Sequence, residues 1–446
     1  MARTESQAGI QRTGLGAGSI AGGSARLLLA RMSSAAASFV SALILARALP
    51  PSERGAVAFV TMAALVLAGI SGLGLEQATV VFAAKRIRDR PNLLTNLCLL
   101  SLTTAMLLGG ACAVGLAIAS SVRPTDVGGV ELLCLVLGTV GLRLNSASVA
   151  FLLGCGRFRA QSIVVCASPV LLAVLLLVAW PVSDLTVRSA CLIWTAAQLG
   201  GAAVGLVAAA YVDKWGLPSP ALAREAATFG LRAWGLSIAL SFNARIDQVI
   251  MGLISTEAAL GYYAVAVNAG EAALYPLMTV AQVATPSIAR GSMTESIETT
   301  LRLFRALLLL TAGIVAVGFV CSPLIPIVFG SDYSPSVEPF LWLLPGGLAY
   351  VALNVFSSSL LATSAPGRSS LGPSAALVVG VALDFVLIPP LGATGAAIAA
   401  SAASVAGGLV ATFFYIRLTR IDTALLLPRR GDLAFLRALA WRFTGR

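Results

Sequence analysis

The sequence contains no histidine. That absence excludes histidine-based catalytic triads, histidine metal sites and histidine pH switches. The GxxxxGK[ST] motif of nucleotide-binding loops is absent as well. Seven cysteines are scattered through apolar runs without a CxxC pair, which is typical of small buried side chains rather than of a disulfide framework. We therefore expect no metal site, no cofactor and no enzymatic centre.

Charged residues are scarce too. They make up 11% of the 446 residues, against 58% that are hydrophobic, and the mean hydropathy is +0.91. This composition is typical of a polytopic membrane protein without a sizeable soluble domain. A helix needs about 20 apolar residues to cross a bilayer. We predict an all-α membrane protein with twelve spans, at 25–47, 55–83, 94–120, 128–153, 161–180, 187–212, 229–254, 257–287, 302–329, 336–363, 370–389 and 393–417.

Basic residues concentrate on one side of the predicted membrane. With a cytoplasmic N-terminus, the inside segments hold 22 of the 30 basic residues, the outside turns hold four and the spans hold four. The positive-inside rule therefore predicts that both termini are cytoplasmic. The same distribution explains the net charge of +11, so we do not expect nucleic acid as a partner.

The chain repeats itself once. The turn before helix 2 and the turn before helix 8 each contain Ser and Glu and then a glycine, Gly55 or Gly261, which are 206 residues apart. An even number of spans in each repeat gives two parallel halves, with binding sites expected between them. The predicted divisions are an N-terminal cytoplasmic tail at 1–24, a six-helix bundle at 25–212, a cytoplasmic interfacial linker at 213–228, a second six-helix bundle at 229–417 and a basic cytoplasmic tail at 418–446. The last of these is either an amphipathic surface helix or an ordinary positive-inside tail.

Helices 7 and 8 carry charges where lipid makes them costly. Arg245 and Asp247 lie in the first helix and Glu271 in the second, and each costs about 2.5–3.5 kcal/mol on insertion scales. A polar stripe at helical spacing continues along helix 8. Its members are Asn268, Glu271, Tyr275, Thr279 and Gln282. Helix 7 has a similar stripe, formed by Ser237, Ser241, Arg245 and Gln248. Two membrane helices with polar stripes indicate a path for a solute.

Three stretches resemble the MOP superfamily of exporters (multidrug, oligosaccharidyl-lipid and polysaccharide), in particular its Wzx-like polysaccharide and O-antigen flippase branch. They are SFVSALILARALPPSERGAVAFV at 38–60, the hairpin 244–290, and DFVLIPPLGATGAAIAASAAS at 384–404. The resemblance implies two six-helix bundles around a V-shaped central cavity in the cytoplasmic (inner) membrane of a bacterium. It also implies a polyprenyl-diphosphate-linked oligosaccharide as substrate, flipped by alternating access during lipopolysaccharide or exopolysaccharide biosynthesis. Asp384 stands where members of the branch often have Asn.

A diphosphate substrate needs cationic partners in the cavity. Arginine suits this task because its guanidinium binds two oxygens at once. The candidates are Arg31, Arg143, Arg232 and Arg245. Two simpler roles stay open: Arg31 and Arg232 snorkel to the inner interface, and Arg143 and Arg245 form ion pairs with Glu131, Asp247 or Glu271. We expect Glu76 to pair with Arg31, and Tyr262 and Tyr263 to lie in the interfacial aromatic belt.

Without a nucleotide site, transport against a gradient needs another source of energy. An intramembrane carboxylate can couple it to H⁺ or Na⁺. The candidates are Glu271, Asp247 and Asp384, with Glu271 preferred for its place on the polar stripe. The alternative is that these carboxylates only neutralise intramembrane arginines.

Two other functions compete with the flippase. One is an ion-coupled multidrug exporter of the MATE branch, which the cationic side chains disfavour because most of its substrates are cations. The other is a membrane glycan polymerase or ligase, which the short outside turns disfavour. Besides the lipid-linked glycan, the expected partners are membrane lipids and polysaccharide assembly proteins.

Overall fold

The computed structural model describes residues 17–122, 128–182, 184–290, 293–362, 366–427 and 429. Throughout these ranges the regular elements are helices, without a strand. Helices satisfy every backbone N–H and C=O within one segment, which is what a chain in lipid requires. The prediction of an all-α protein is confirmed.

Fourteen α-helices, linked in places by short 3₁₀ turns, make up the described chain. Seven belong to the N-terminal half: α1 Ala17–Ala48, α2 Pro51–Ser71, α3 Leu75–Lys85, α4 Arg90–Val122, α5 Gly129–Gly154, α6 Phe158–Ala179 and α7 Val187–Val212. Seven follow in the C-terminal half: α8 Pro220–Ile254, α9 Glu257–Arg290, α10 Met293–Cys321, α11 Ile325–Phe329, α12 Val337–Ala362, α13 Pro366–Ser369 and α14 Leu371–Thr419.

Three predicted spans differ from straight single helices. The span 55–83 is split into α2 and α3 by a turn in which Leu73 and Gly74 have φ angles of 48° and 69°. A Cβ atom on Gly74 would lie 2.0 Å from the carbonyl oxygen of Gly230 in α8, so glycine fits both the backbone and the space. The last two spans are continuous as α14, which bends at Gly392 (φ 56°, ψ −125°) just after two prolines that lack a backbone N–H.

Nine segments of the described chain are long and apolar enough to cross a membrane: 29–48, 51–71, 87–118, 129–154, 158–179, 187–212, 294–329, 331–361 and 367–419. The last has 53 residues and is bent at Gly392, so it is long enough to cross twice. Helices α8 and α9, with 35 and 34 residues, exceed the length of about 20 residues that a crossing needs. The total of twelve crossings and the cytoplasmic side of both termini stay predictions.

The irregular part of the linker is shorter than the predicted 213–228. Helix α8 begins at Pro220, so the second part of the linker continues directly into the seventh span. The preceding residues are held on α4, where the Asn96 side-chain amide donates to the Ser219 carbonyl oxygen at 2.8 Å and accepts the Ser219 N–H at 3.0 Å. Helix α1 likewise begins earlier than predicted, at Ala17.

The two halves meet at the predicted inner end through α3 and α8. The Arg86 guanidinium donates to both carboxylate oxygens of Glu225, at 2.5 and 2.7 Å. These hydrogen bonds lower the pKa of the exposed Glu225 carboxyl below its ordinary value. The Phe82 and Phe229 rings pack with centroids 5.6 Å apart. This end of α8 therefore packs against the N-terminal half.

At the predicted outer end the halves are joined by a hydrogen-bonded contact, here termed the outer latch. Arg47, in the last turn of α1, donates to the carbonyl oxygens of Ile327 and Val328 at 2.6 and 2.8 Å. The Tyr333 hydroxyl donates to the Leu49 carbonyl oxygen at 2.9 Å. Two apolar clusters that contain residues of both halves lie beside these bonds. The structure therefore describes a state with a closed outer end.

The repeated glycines Gly55 and Gly261 face the opposite half at this end. A Cβ atom on Gly55 would lie 1.8 Å from the Glu257 carbonyl oxygen, and one on Gly261 would lie 2.0 Å from the Pro51 carbonyl oxygen. The first turns of α2 and α9 thus approach each other reciprocally at the two glycines of the sequence repeat. Only glycine permits this approach.

Gly261→Ala is expected to open the outer end more often, because the added methyl group overlaps backbone of the other half. Overpacking of this kind costs about 1–3 kcal/mol, which raises exposure of the interface about fivefold or more. The measurement is labelling of a cysteine at the buried Ala58 by an impermeant maleimide in intact cells, in a cysteine-free background. Gly115→Ala is the control, since no described atom lies within 4 Å of its added Cβ atom. Equal labelling rates in Gly261→Ala and the parent would contradict a closed outer end held by this contact.

Candidate functional site

The α8–α9 hairpin brings its intramembrane charges together. Its turn lies at Ser255 and Thr256. Arg245 precedes this turn by about ten residues and Glu271 follows it by about fifteen, so their levels differ by roughly 7 Å at 1.5 Å per residue. The long arginine side chain bridges that difference. Its guanidinium donates from Nη1 to Glu271 Oε1 at 2.5 Å and from Nη2 to Oε2 at 3.0 Å.

This pair is not sealed from solvent. The Arg245 side chain is 21% exposed and that of Glu271 is 44% exposed. Helix α9 is surrounded by α1, α2, α8, α10, α12 and α14, yet both side chains of the pair keep part of their surface accessible. A guanidinium held in bidentate geometry at such an accessible position can exchange its carboxylate for another anion with two oxygens.

Asp247 and Asp384 line a second feature, here termed the carboxylate pocket, with a volume of about 90 Å³. It lies between α8, α12 and α14, and its polar lining includes Asn243, Tyr350 and Ser404. Asp247 accepts one hydrogen bond from the backbone N–H of Gln248 at 2.7 Å and another from the Tyr263 hydroxyl. Asp247 and Tyr263 each lie about eight residues from the hairpin turn, which places them at the same depth.

Asp384 is a buried carboxylate with an oxygen that could accept a proton or bind a cation. Its side chain is 2% exposed, and its Oδ1 atom has no hydrogen-bond partner among the described residues. A buried unpaired carboxylate is costly, and a second carboxylate in the same pocket adds to the cost. A proton or a monovalent cation shared with Asp247 offsets it. No three His, Cys, Asp or Glu side chains gather into a metal cluster within the described ranges.

Arg143 lies in a different setting from the one predicted. Its guanidinium, 2% exposed, pairs with Glu76 of α3 and donates from Nη2 to Ser101 Oγ of α4 at 3.3 Å. Of the predicted ion pairs, that of Arg245 with Glu271 is confirmed, whereas Arg143 pairs with Glu76 and not with Glu131, Asp247 or Glu271. The break between α2 and α3 is the reason, because it turns the first residues of α3 towards α5.

The structure describes the side chains of only some of the remaining predicted residues. Arg31 and Asn268 are half-buried, on α1 and α9. The side chains of Arg232, Tyr275, Thr279 and Gln282 lie outside the described residues, so their roles stay predictions.

Sequence reasoning missed Ser101, and it named Glu76 and Tyr263 without the partners that the structure gives them. The SGLG sequence at 71–74 is a helix-breaking signal that could have indicated the α2–α3 turn and hence the position of Glu76. The interfacial assignment of Tyr263 is wrong, because its side chain is 0% exposed and its hydroxyl binds Asp247. Tyr263 and Asp247 lie equally far from the hairpin turn in the sequence, and this spacing could have indicated their contact.

Comparison with protein families gives a match over most of the chain. The model of the family described as "Polysaccharide biosynthesis protein" matches residues 20–292. No curated protein sequence matches the chain significantly.

Solved structures share the fold at low sequence identity. An inward-facing multidrug resistance MATE family transporter of the MOP superfamily is 16% identical, with a TM-score of 0.69 over 89% of this chain and 98% of that one. The lipid II flippase MurJ in its inward closed conformation is 12% identical, with a TM-score of 0.71 over 94% of this chain and 97% of that one. A MOP superfamily transporter from Pyrococcus furiosus is 15% identical, with a TM-score of 0.60 over 90% of this chain and 96% of that one. These similarities show a common fold.

Proposed function

Because the chain belongs to the polysaccharide biosynthesis protein family of the MOP superfamily, we propose that it flips a polyprenyl-diphosphate-linked oligosaccharide across the cytoplasmic membrane of a bacterium by alternating access. The fold and the family support a multi-pass MOP transporter without specifying its substrate. The choice of a lipid-linked diphosphate follows from the chemistry of the α8–α9 hairpin.

The observation that carries the proposal is the exposed Arg245–Glu271 pair. Its bidentate geometry, with N–O distances of 2.5 and 3.0 Å, is also the geometry with which a guanidinium holds two oxygens of a phosphate. We propose that the diphosphate takes the place of Glu271 at the Arg245 guanidinium. Glu271 then keeps the site neutral when no substrate is bound, and the entering diphosphate supplies the negative charge instead.

Arg31, Arg143 and Arg232 remain proposed members of the diphosphate path. Arg143 is enclosed by α3, α4 and α5 in the described state, so its part in transport requires these helices to separate. The halves must move apart at the outer latch for release, and the glycine contact between α2 and α9 is where that movement begins.

We propose the carboxylate pocket as the coupling site for H⁺ or Na⁺. Asp247 and Asp384 share a pocket between three helices of one half, and Asp384 has an unpaired buried oxygen. The Tyr263 hydroxyl connects the pocket to α9, which also carries Glu271. Cation loading therefore has a direct route to the helix that binds the substrate.

Proteoliposomes test the flippase directly. They contain the purified protein and a polyprenyl-diphosphate oligosaccharide with a fluorophore on its terminal sugar. An impermeant reductant that irreversibly bleaches the fluorophore from outside is expected to remove nearly all of the signal, whereas protein-free liposomes retain their inner-leaflet share. If the protein leaves that inner share intact but accelerates efflux of a fluorescent organic cation, the multidrug-exporter alternative replaces the flippase.

A further inference from the structure

Three arginines surround a cavity at the end of α14, far along the chain from the α8–α9 hairpin. They are Arg368, Arg417 and Arg420, and the cavity has a volume of about 380 Å³. Phe414 and Leu418 form its apolar wall. Together these groups form what is here termed the arginine cavity. Neither the family nor the proposed transport path assigns it a role.

The fold brings these arginines to one face of the membrane. Because α14 bends at Gly392 and returns, the helix start near Arg368 and the helix end near Arg417 lie at the same end. Arg420 adopts φ 54°, the left-handed conformation that ends the helix, and its N–H still donates to the Ile416 carbonyl oxygen. The positive-inside rule predicts that this end is cytoplasmic.

The three guanidiniums have no hydrogen-bond or ion-pair partner in the part of the chain that the structure describes. Other arginines predicted at the same face do have partners: Arg302 pairs with Glu298, and Arg305 donates to the Leu425 carbonyl oxygen at 2.7 Å. The nearby carboxylate of Asp422 is occupied by capping the N–H of Ala424 at 3.0 Å. Three like charges around one cavity repel one another, and a bound anion removes that repulsion.

An exposed apolar row leads away from the cavity into the membrane span. Val405, Leu409 and Phe413 are 44%, 68% and 56% exposed and follow one another at intervals of four residues on one face of α14. The next residue in the row is Arg417. The row from Val405 to Arg417 is about 18 Å long, similar to an extended acyl chain. A charged cavity that continues into an apolar row fits an amphiphile with an anionic head.

We propose that the arginine cavity binds the phosphate of an anionic phospholipid of the cytoplasmic leaflet, with an acyl chain along Val405, Leu409 and Phe413. The apolar row favours a lipid over an acidic protein segment as the ligand. The row lies within the membrane span, which a soluble partner does not reach. Arginine is suited to the phosphate because its fork engages two oxygens. The proposal does not depend on which substrate the protein transports.

The test is native mass spectrometry of the full chain in detergent, titrated with phosphatidylglycerol or with phosphatidylcholine of the same acyl chains. The parent is expected to retain phosphatidylglycerol about tenfold more strongly, and the triple variant R368Q/R417Q/R420Q to lose that preference. The control R88Q/R159Q/R224Q removes three exposed arginines outside the arginine cavity, two in the N-terminal half and Arg224 in the first turns of α8, also predicted to be cytoplasmic, and so makes the same change in net charge. It is expected to keep the preference.

The other possible outcomes of this experiment contradict all or part of the lipid proposal. Equal retention of both lipids by the unmodified protein would overturn it, whatever the variants do. Equal losses in the two triple variants would overturn it in favour of general charge attraction. Displacement of phosphatidylglycerol by equimolar inorganic phosphate would make the cavity a site for free anions instead. An unchanged affinity in Phe413→Ala would remove the acyl-chain contact and leave only the head-group part. Exclusive binding of an acidic peptide would assign the cavity to a protein partner.

Discussion

Arg245→Ala is expected to abolish flipping of the lipid-linked oligosaccharide while the protein still folds and inserts. The substitution removes both donors to the diphosphate and leaves the Glu271 carboxylate uncompensated in the site. Hydrogen bonds to charged groups contribute about 1.5–3 kcal/mol each, so losing two slows transport at least about 100-fold. The bleaching assay in proteoliposomes measures the rate, and size-exclusion chromatography shows whether the variant is folded.

Arg245→Lys separates charge from geometry at the same position. Lysine keeps the positive charge but loses the planar fork, so partial recovery is expected. Arg302→Ala is the matched control, because Arg302 also pairs with a glutamate, Glu298, but both side chains are more exposed and lie within α10, away from the α8–α9 hairpin. Its transport rate is expected to equal that of the parent. Full transport by an Arg143→Ala, Arg245→Ala double variant would refute the diphosphate assignment of both arginines.

The arginine–glutamate pair of the hairpin could be predicted because its geometry is local. Arg245 and Glu271 flank one short turn, and helix rise alone places their levels roughly 7 Å apart, within reach of an arginine side chain. The family resemblance is also confirmed: of the three stretches that carry it, 38–60 and 244–290 fall inside the matched residues 20–292, whereas 384–404 lies outside them. The reciprocal glycines Gly55 and Gly261 were also visible as a repeat.

The pair between Arg143 and Glu76 could not be predicted from spacing. It joins α5 to α3 across 67 residues, and its formation depends on the left-handed turn at Leu73 and Gly74. A straight helix over 55–83 would direct Glu76 elsewhere. Tertiary contacts of this kind override local composition. The start of α8 at Pro220 is different, because Ser219 caps the helix by accepting the Leu222 N–H and Pro220 stands in its first turn, a signal that the sequence does contain.

The shared pocket of Asp247 and Asp384 was predicted only in part. Asp247 and Asp384 are far apart in sequence, and no local pattern in either segment indicates that α14 packs against α8. The structure brings both into one pocket. Glu271 is paired with Arg245. For this reason we propose the two aspartates, and not Glu271, as the coupling groups.

Asp384→Asn and Asp247→Asn are each expected to make transport independent of imposed Na⁺ and proton gradients. The amide keeps the size of the side chain but neither carries the charge that holds a cation nor titrates in the working range. Loss of one carboxylate leaves the other without its partner in the pocket, so each single substitution suffices. Rates in proteoliposomes with either gradient, compared with no gradient, give the coupling ratio.

Glu271→Gln in the same assay distinguishes the pocket from the hairpin pair. We expect its gradient response to persist while its transport rate falls, because Glu271 neutralises Arg245 rather than binding the coupling ion. Tyr263→Phe removes the hydroxyl that holds Asp247 and is expected to weaken the response by about tenfold, the effect of one charge-assisted hydrogen bond. Asp332→Asn changes an exposed carboxylate of the same half and serves as the control. An Asp247→Asn, Asp384→Asn double variant that responds to a gradient as the parent does would place the coupling ion elsewhere, and loss of the response in Glu271→Gln alone would return it to α9.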